Sequence, residues 1–166
     1  MLLRPGQAPR RSLASLVVQA QVKVGDMLPA FELLTDTGDK IKSADMVKDS
    51  GAIIFIYPKA NTSGCTTQAC GFNDNRETFT KAGYSIYGLS ADAPAAQAAW
   101  KAQYGYQYPL LCDTDFKVLP LLCGAELGGK ITRTHLVVAK GGKITDLKLA
   151  IGSKDSVPSA LTFVSK

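Results

Sequence analysis

The sequence predicts an α/β fold in which a central mixed sheet is flanked by helices. Residues 52–57, Ala-Ile-Ile-Phe-Ile-Tyr, form an unbroken apolar run of strand length, which is typical of a strand buried on both faces. Along the chain, β-rich runs alternate with segments that begin at Pro or end at Gly, as helices do. The chain has 166 residues, of which 46% are hydrophobic and 20% charged, as expected for one globular core.

The first half of the chain predicts a hairpin, a buried strand and a long helix. These are strands at 31–34 and 40–42 around Thr37-Gly38-Asp39, the strand at 52–57, and a helix from about Cys65 to Ala82. Gly83 closes this helix in a C-cap position. The next strand is predicted from Tyr84 to Ser90, where aromatic and apolar residues predominate.

The second half predicts two further helices, a short helical segment and a C-terminal hairpin. In order, these are a helix at 95–104 between Pro94 and Gly105, an extended piece at 108–111, a helical segment at 116–122 that Pro120 shortens, strands at 131–139 and 143–150 around Gly141-Gly142, and a helix at 157–164 with Ser156 as N-cap. The resulting order, β-α-β-α-β-β-α, is that of a thioredoxin fold with an N-terminal β-hairpin addition.

The net charge of +5 is concentrated at the N-terminus. Residues 1–25 contain Arg4, Arg10, Arg11 and Lys23 and no acidic residue, whereas the remainder carries 15 basic and 14 acidic residues. We therefore expect a basic segment at 1–21, either a tail or a targeting sequence, and one domain at 22–166. The nearly neutral domain argues against a nucleic-acid partner.

Localisation follows from the same segment and from the cysteines. No apolar stretch approaches the roughly 18 residues that span a bilayer, so no membrane partner is expected. Four cysteines are too few for a disulfide scaffold of this length, which favours a reducing compartment. We predict a cytoplasmic protein, with a mitochondrion, another organelle or the nucleus as the alternative that the basic N-terminus would support.

One cysteine, Cys65, falls where the helix after the buried strand is predicted to begin. A helix N-terminus carries unpaired N–H groups and a partial positive charge, which favour thiolate over thiol. Cys70 follows five residues later. The alternative for Cys65 is a small buried apolar residue, which is how most free cysteines behave. Its position favours an activated sulfur with a built-in redox partner.

The motif around Cys65 resembles that of the peroxiredoxins. Pro58, Thr62 and Cys65 match the pattern Pro-x-x-x-Thr-x-x-Cys, and Cys70 matches the second cysteine of the subgroup called PrxQ or bacterioferritin comigratory protein. The sequences around 57–59, 68–72 and 88–92 are also similar to that subgroup. The resemblance extends from about Val22 to the C-terminus, and it implies the same thioredoxin-type fold.

This resemblance implies a thiol peroxidase. Cys65 would be the peroxidatic cysteine, which hydrogen peroxide or an alkyl hydroperoxide oxidises to sulfenic acid. Cys70 would resolve the sulfenic acid into an intramolecular disulfide, which thioredoxin or a similar dithiol would reduce. Pro58 would shield the sulfur, while Thr62 and Arg133 would bind and polarise the peroxide. The subgroup implies a monomer that needs no metal, haem or flavin.

The spacing of the two cysteines predicts a conformational step. Residues five apart on an α-helix have Cα atoms roughly 8–9 Å apart, whereas a disulfide needs less than about 7 Å. Cys65 and Cys70 therefore cannot bond within an intact helix. We expect the first turns of this helix to unwind after Cys65 is oxidised.

The remaining residues of interest favour structural roles. Cys112 and Cys123 match no catalytic position and are expected to be buried as small apolar residues. His135 lies in an apolar strand run and is expected in the core or on a sheet face, because no Cys-x-x-Cys pair exists to form a zinc site with it. Three tyrosines at positions 104, 106 and 108 favour a packed surface turn over a base-stacking platform.

Two other functions fit parts of the sequence. The Cys65–Cys70 pair could serve a peroxide-sensing switch that acts by disulfide-driven partner binding, in which case a single reaction would suffice. The basic N-terminus could belong to a nucleic-acid-associated protein, although the neutral remainder disfavours this.

Overall fold

The computed structural model describes residues 21–125 and 129–166, which contain seven strands and six helices. The strands are β1 (Glu32–Thr35), β2 (Lys40–Lys42), β3 (Gly51–Ile56), β4 (Tyr84–Ser90), β5 (Leu110–Cys112), β6 (Thr134–Val138) and β7 (Ile144–Lys148). The helices are α1 (Ser43–Met46), α2 (Ser63–Asp74), α3 (Arg76–Lys81), α4 (Pro94–Tyr104), α5 (Leu119–Cys123) and α6 (Ser156–Val164). Within these described residues, no helix has the length and apolarity that crossing a bilayer requires.

The strands form one mixed sheet in the order β2-β1-β5-β4-β3-β6-β7. β3, β4 and β5 run parallel in the middle, while β1 and β6 join them in the antiparallel direction. All six residues of β3 are buried, as the continuous apolar run predicts. The mixed sheet and the N-terminal β1–β2 hairpin at its edge are both confirmed.

Alternate side chains of β3 reach two cores, one on each face of the sheet. Ile54 lies in a cluster that contains Leu119 of α5. Phe55 lies in a second cluster with Phe72 of α2 and Trp100 of α4. The face with α2 and α4 is the one that carries the candidate site.

The helix predicted from Cys65 to Ala82 is two helices, because the chain breaks at Asn75. The Asn75 side chain donates from Nδ2 to the carbonyl oxygen of Gly71 at 2.8 Å, and its backbone N–H donates to the same oxygen at 3.2 Å. An Asn side chain that bonds to the preceding turn competes with the helical ladder, and here it ends α2. The prediction of one continuous helix was therefore wrong.

Smaller differences from the predictions include one strand boundary, one helix cap and one helix. The strand predicted at 131–139 shortens to β6, which begins at Thr134, so Arg133 lies immediately before the strand. Ser156 is the first residue of α6 and not its N-cap, which is Asp155. The one-turn helix α1 was not predicted, since four residues carry too short a periodic signal.

Asp113 organises the turn that leads into α5, on the sheet face opposite the candidate site. Its Oδ1 accepts a hydrogen bond from the Lys117 backbone N–H at 2.9 Å. Its Oδ2 accepts from the N–H groups of Val118 at 2.9 Å and Leu119 at 2.7 Å. Because Asp113 is only 1% exposed, these N–H groups replace water around a buried carboxylate.

We expect Asp113→Ala to lower the free energy of unfolding by about 2–4 kcal/mol, because three backbone donors lose their acceptor. Urea unfolding followed by circular dichroism measures the change. Asp115→Ala in the same turn is the matched control, since Asp115 is exposed, and it should change stability by less than about 0.5 kcal/mol. Equal effects of the two variants would contradict this account of the turn.

Candidate active site

Cys65 lies in the first turn of α2, where the sequence analysis expects an activated sulfur. The helix begins at Ser63 with Thr62 as N-cap, so Cys65 is its third residue and not its first. The side chain is buried, with 1% of its surface exposed. The unpaired N–H groups of the first turn place partial positive charge beside the sulfur.

Arg133 supplies a full positive charge at the same point. Its Nη2 donates a hydrogen bond to Cys65 Sγ at 3.5 Å. The Arg133 backbone carbonyl oxygen accepts from the N–H of Ile151 at 3.0 Å, which fixes the chain just before β6. A Cβ atom at Gly64 would lie 3.0 Å from Nη2, so a glycine here gives the guanidinium room to lie against α2.

Gln68 is a site residue to which the sequence analysis assigned no role. Arg133 Nη1 donates to Gln68 Oε1 at 2.9 Å, so one guanidinium donates hydrogen bonds to both Cys65 and Gln68. Gln68 has no exposed surface. The signal that could have found it is its spacing, because a residue three positions after Cys65 shares its helix face. A buried glutamine on that face needs a polar partner.

The loop before α2 carries the other two predicted site residues. The Thr62 hydroxyl donates to the Lys59 carbonyl oxygen at 2.9 Å and makes no capping bond to the helix. Pro58 is exposed at the start of the loop, and its shielding role stays a prediction. The Ala60 N–H donates to Asp92 Oδ2 at 2.8 Å, so a residue after β4 holds this loop in place.

Cys70, the predicted resolving cysteine, lies half-buried beside an aromatic cluster. Its Sγ lies 3.6 Å from the hydroxyl oxygen of Tyr106. The Tyr106 ring stacks between those of Tyr104 and Tyr108, with ring centroids 5.8 and 5.6 Å away. Burial raises the pKa of Tyr106, and the neighbouring Cys70 raises it further, so the hydroxyl stays protonated. The tyrosines therefore pack against the site. The prediction of a surface turn was wrong for Tyr106 and Tyr108, which are buried.

The other two cysteines are buried away from this site, as predicted. Cys112 and Cys123 are each 5% exposed. Burial raises the pKa of Cys112 to about 12 and also raises that of Cys123, so both remain thiols at neutral pH. All four cysteines are unpaired in the structure. Among the described residues, no cluster of His, Cys, Asp and Glu could hold a metal ion.

A buried polar chain extends from Gln68 away from the sulfur. Gln68 Nε2 donates to Ser156 Oγ at 3.0 Å, and this oxygen lies 2.8 Å from His135 Nδ1. His135 Nε2 lies 3.9 Å from Asp146 Oδ2. Burial lowers the pKa of His135 to about 4, against an opposing effect of Asp146. The histidine is therefore neutral at physiological pH.

Comparison with known proteins shows the family to which the chain belongs. The AhpC/TSA family model matches residues 24–147. The chain belongs to the AhpC/TSA family. The peroxiredoxin bcp1 of Schizosaccharomyces pombe is 37% identical to it over 151 residues, which cover 89% of this chain and 77% of that protein.

Two further relatives of this AhpC/TSA chain point to the same subgroup. Chloroplastic peroxiredoxin Q of Suaeda salsa is 40% identical over 116 residues, 70% of this chain and 53% of that protein. The crystal structure of peroxidoxin BcpB from Mycobacterium tuberculosis superposes with a TM-score of 0.81 at 30% identity, covering 87% of this chain and 97% of that one. The peroxiredoxin version of the thioredoxin fold and the PrxQ/Bcp resemblance are confirmed.

Membership of this subgroup gives the chain its activity: it is a thiol-dependent peroxidase. The peroxide-sensing switch is not favoured, because the relatives are peroxiredoxins. A nucleic-acid role gains no support from these relatives.

The neutral, buried His135 predicts a loss of stability in acid. The unfolded chain binds a proton near the ordinary histidine pKa of 6.5, whereas the folded chain resists until about pH 4. Stability is therefore full above pH 6.5 and falls as the pH drops towards 4. His135 should account for about 2 kcal/mol of the unfolding free energy lost between about pH 7.5 and about pH 5.

Urea titrations of wild type and His135→Asn at the two pH values measure this term. The chain contains a single histidine, so no other histidine confounds the difference. The variant should show a pH dependence that is smaller by this amount. A pH dependence identical in the two proteins would show that His135 titrates alike in the folded and unfolded chains.

Proposed function

We propose that Cys65 is the peroxidatic thiol of this peroxidase and Cys70 its resolving thiol. The observation that supports this assignment is the 3.5 Å hydrogen bond from Arg133 to Cys65 Sγ at the start of α2. A guanidinium and a helix N-terminus both favour a thiolate, and the thiolate is the form of cysteine that attacks peroxides. Among the described residues, none of the other three cysteines hydrogen-bonds to an arginine or lysine side chain.

The first step transfers one oxygen atom. The Cys65 thiolate attacks the nearer peroxide oxygen in line with the O–O bond, the S–O bond forms, and the O–O bond breaks. The departing oxygen takes a proton and leaves as water or an alcohol, while Cys65 becomes a sulfenic acid. Arg133 faces the charge that develops on the oxygens, Thr62 orients the peroxide, and Pro58 limits the access of water.

The second step forms a disulfide and releases water. The Cys70 sulfur attacks the Cys65 sulfenic sulfur, the S–S bond forms, and the hydroxyl group leaves with a proton. Both cysteines lie within the intact helix α2, five residues apart, which is too far for a bond. The first turns of α2 must therefore unwind between the two steps.

The aromatic cluster restrains this unwinding. The indole N–H of Trp100 donates to Thr66 Oγ1 at 3.2 Å, and the Tyr108 hydroxyl donates to the Ala69 carbonyl oxygen at 2.7 Å. Tyr106 contacts the sulfur of Cys70 itself. Unwinding must break these contacts, so the cluster sets the balance between the folded helix and the form that makes the disulfide.

We further propose hydrogen peroxide or an alkyl hydroperoxide as substrate and thioredoxin, or a similar dithiol protein, as reductant. The dithiol reduces the disulfide, is itself oxidised, and returns two thiols. We infer a monomeric protein whose residues 22–166 form one domain, preceded by the basic segment 1–21. A cytoplasmic location is supported by the number of cysteines, because four are too few for a disulfide scaffold of this length. Residues 1–20, which would carry any organelle signal, lie outside the described residues.

Peroxide consumption coupled to thioredoxin, thioredoxin reductase and NADPH tests the two assignments. Wild type should turn over many times. Cys65→Ser should abolish consumption, because the attacking sulfur is gone. Cys70→Ser should consume about one equivalent and stall, because the sulfenic acid has no partner. Cys112→Ser is the matched control and should keep turnover, since Cys112 is buried elsewhere.

Mass spectrometry of peroxide-treated wild type should find the Cys65–Cys70 disulfide. A disulfide between other cysteines would contradict the assignment of Cys70. Turnover with dithiothreitol but not with thioredoxin would overturn only the proposed reductant. Consumption of a single equivalent with every reductant would instead favour a switch protein.

We expect Tyr106→Phe to raise the first-order rate of disulfide formation about two- to fivefold, because it removes one weak hydrogen bond to Cys70 and keeps the stacked ring. The rate of Cys65 oxidation should not change. Stopped-flow fluorescence separates the two phases, since Trp100 is the only tryptophan and bonds to α2.

Tyr104→Phe is the control for the Tyr106 variant. Tyr104 stacks on Tyr106 and is 42% exposed, whereas the hydroxyl that contacts Cys70 is that of Tyr106. Slower disulfide formation in Tyr106→Phe would mean that the hydroxyl assists the attack of Cys70 and does not restrain it.

A further inference from the structure

Three polar side chains with no exposed surface form a series that begins at Arg133 and leads away from the Cys65 sulfur. They are Gln68 on α2, His135 on β6 and Ser156 on α6. The ring of Phe72 packs edge-on against that of His135, with the ring centroids 6.3 Å apart. Buried polar groups cost stability unless each finds a partner, and these three bond one another in series.

The donors of this series can be assigned in one consistent direction. A guanidinium only donates, so Gln68 must accept from Arg133 through Oε1 and is left to donate from Nε2. Ser156 Oγ accepts that bond, and its own proton is then free to go to His135 Nδ1. An imidazole that accepts at Nδ1 carries its proton on Nε2.

The far end of the series meets a carboxylate that fits this arrangement. His135 Nε2 faces Asp146 Oδ2 at 3.9 Å, and a negative charge there favours a proton on Nε2. Asp146 Oδ1 also pairs with Lys148 Nζ at 3.4 Å. Burial lowers the pKa of His135, so the ring is neutral and only one of its nitrogens carries a proton. Donors therefore run in order from Arg133 through Gln68 and Ser156 to His135, and the series ends there, because His135 Nε2 and Asp146 Oδ2 are too far apart to form a hydrogen bond.

We propose that Ser156 and His135 are positioning residues for the peroxidase reaction, because they fix Gln68 and through it the guanidinium that faces Cys65. Neither residue touches the reacting atoms. One terminal nitrogen of Arg133 donates to the Cys65 sulfur and the other donates to Gln68. Because Ser156 holds the other end of the Gln68 side chain, Gln68 fixes the orientation of the guanidinium and with it the bond to sulfur. The inference rests on the proposed roles of Cys65 and Arg133.

The sequence position of Gln68 adds a second consequence. Gln68 lies between Cys65 and Cys70, in the turns of α2 that must unwind for the disulfide. Unwinding therefore withdraws Gln68 from Arg133 and Ser156 together. In the thiol form, which reacts with peroxide, Gln68 holds the guanidinium against the sulfur. In the disulfide form, the guanidinium loses its hydrogen bond to Gln68.

A double-mutant cycle on single-turnover oxidation of Cys65 by hydrogen peroxide tests the proposal. Ser156→Ala should lower the second-order rate constant about three- to tenfold, the scale of one lost hydrogen bond. Arg133→Ala should lower it about a hundredfold or more, because it removes the charge itself. In the Arg133→Ala background, Ser156→Ala should have no further effect, since its influence passes through the guanidinium.

Ser159→Ala is the matched control, because it makes the same change on α6 outside the series and should leave the rate constant unchanged. His135→Asn and His135→Leu form a second pair. Asparagine keeps an acceptor near the Nδ1 position and should retain most of the rate, whereas leucine should reproduce the Ser156→Ala loss. Urea unfolding shows that each variant is folded under the assay conditions.

The outcomes separate this inference from the proposed function. A Ser156→Ala loss that persists in the Arg133→Ala background would mean a merely structural effect and would overturn the proposal. So would an unchanged rate constant in Ser156→Ala. If Arg133→Ala itself left the rate constant unchanged, the catalytic role of the arginine would fail instead.

Discussion

A guanidinium group and a sulfur atom meet where helix α2 begins, and the surrounding fold is arranged to keep them in contact. Arg133 and Cys65 are 68 residues apart in sequence. Antiparallel pairing of β3 with β6 places Ile56, the last residue of β3, opposite Thr134, the first residue of β6. The loop after β3 leads into α2, and the residue before β6 is Arg133. One strand pairing therefore brings the cation to the helix end that holds the thiol.

The same helix has to satisfy two incompatible demands. While the thiol is reduced, α2 must stay wound, because its first turn provides the charge environment of Cys65 and its second turn carries Gln68. To form the proposed Cys65–Cys70 disulfide, it must open by at least a turn. Two groups of contacts hold α2. On one side, Trp100 and Tyr108 hydrogen-bond to it, and on the other side the polar series through Ser156 does. Each contact is a separate, modest restraint, which suits a segment that must both hold and release.

The parts of the fold that the sequence predicts are those with strong local signals. The order of strands and helices follows from the apolar run at 52–57 and from the helix start and end signals at Pro94, Gly83 and Gly105. The break at Asn75 could not be predicted, because an Asn that bonds to the preceding turn looks locally like one that faces solvent. The predictions for Cys65, Thr62 and Arg133 follow from the family resemblance, whereas the contacts of Gln68, Ser156 and His135 depend on the tertiary structure. Ser156 was interpreted as a helix cap, yet its hydroxyl bonds inward, which only the packing of α6 against β6 decides.

The contacts that hold α2 wound also affect the reduction potential of the cysteine pair. They exist in the dithiol form, and forming the proposed Cys65–Cys70 disulfide would break them, so they would stabilise the reduced protein relative to the oxidised one. Each roughly 1.4 kcal/mol of such stabilisation raises the reduction potential of the two-electron couple by about 30 mV. The proposed disulfide would thereby be a stronger oxidant than one that forms without breaking such contacts, and a more weakly reducing dithiol partner would suffice to regenerate the thiols.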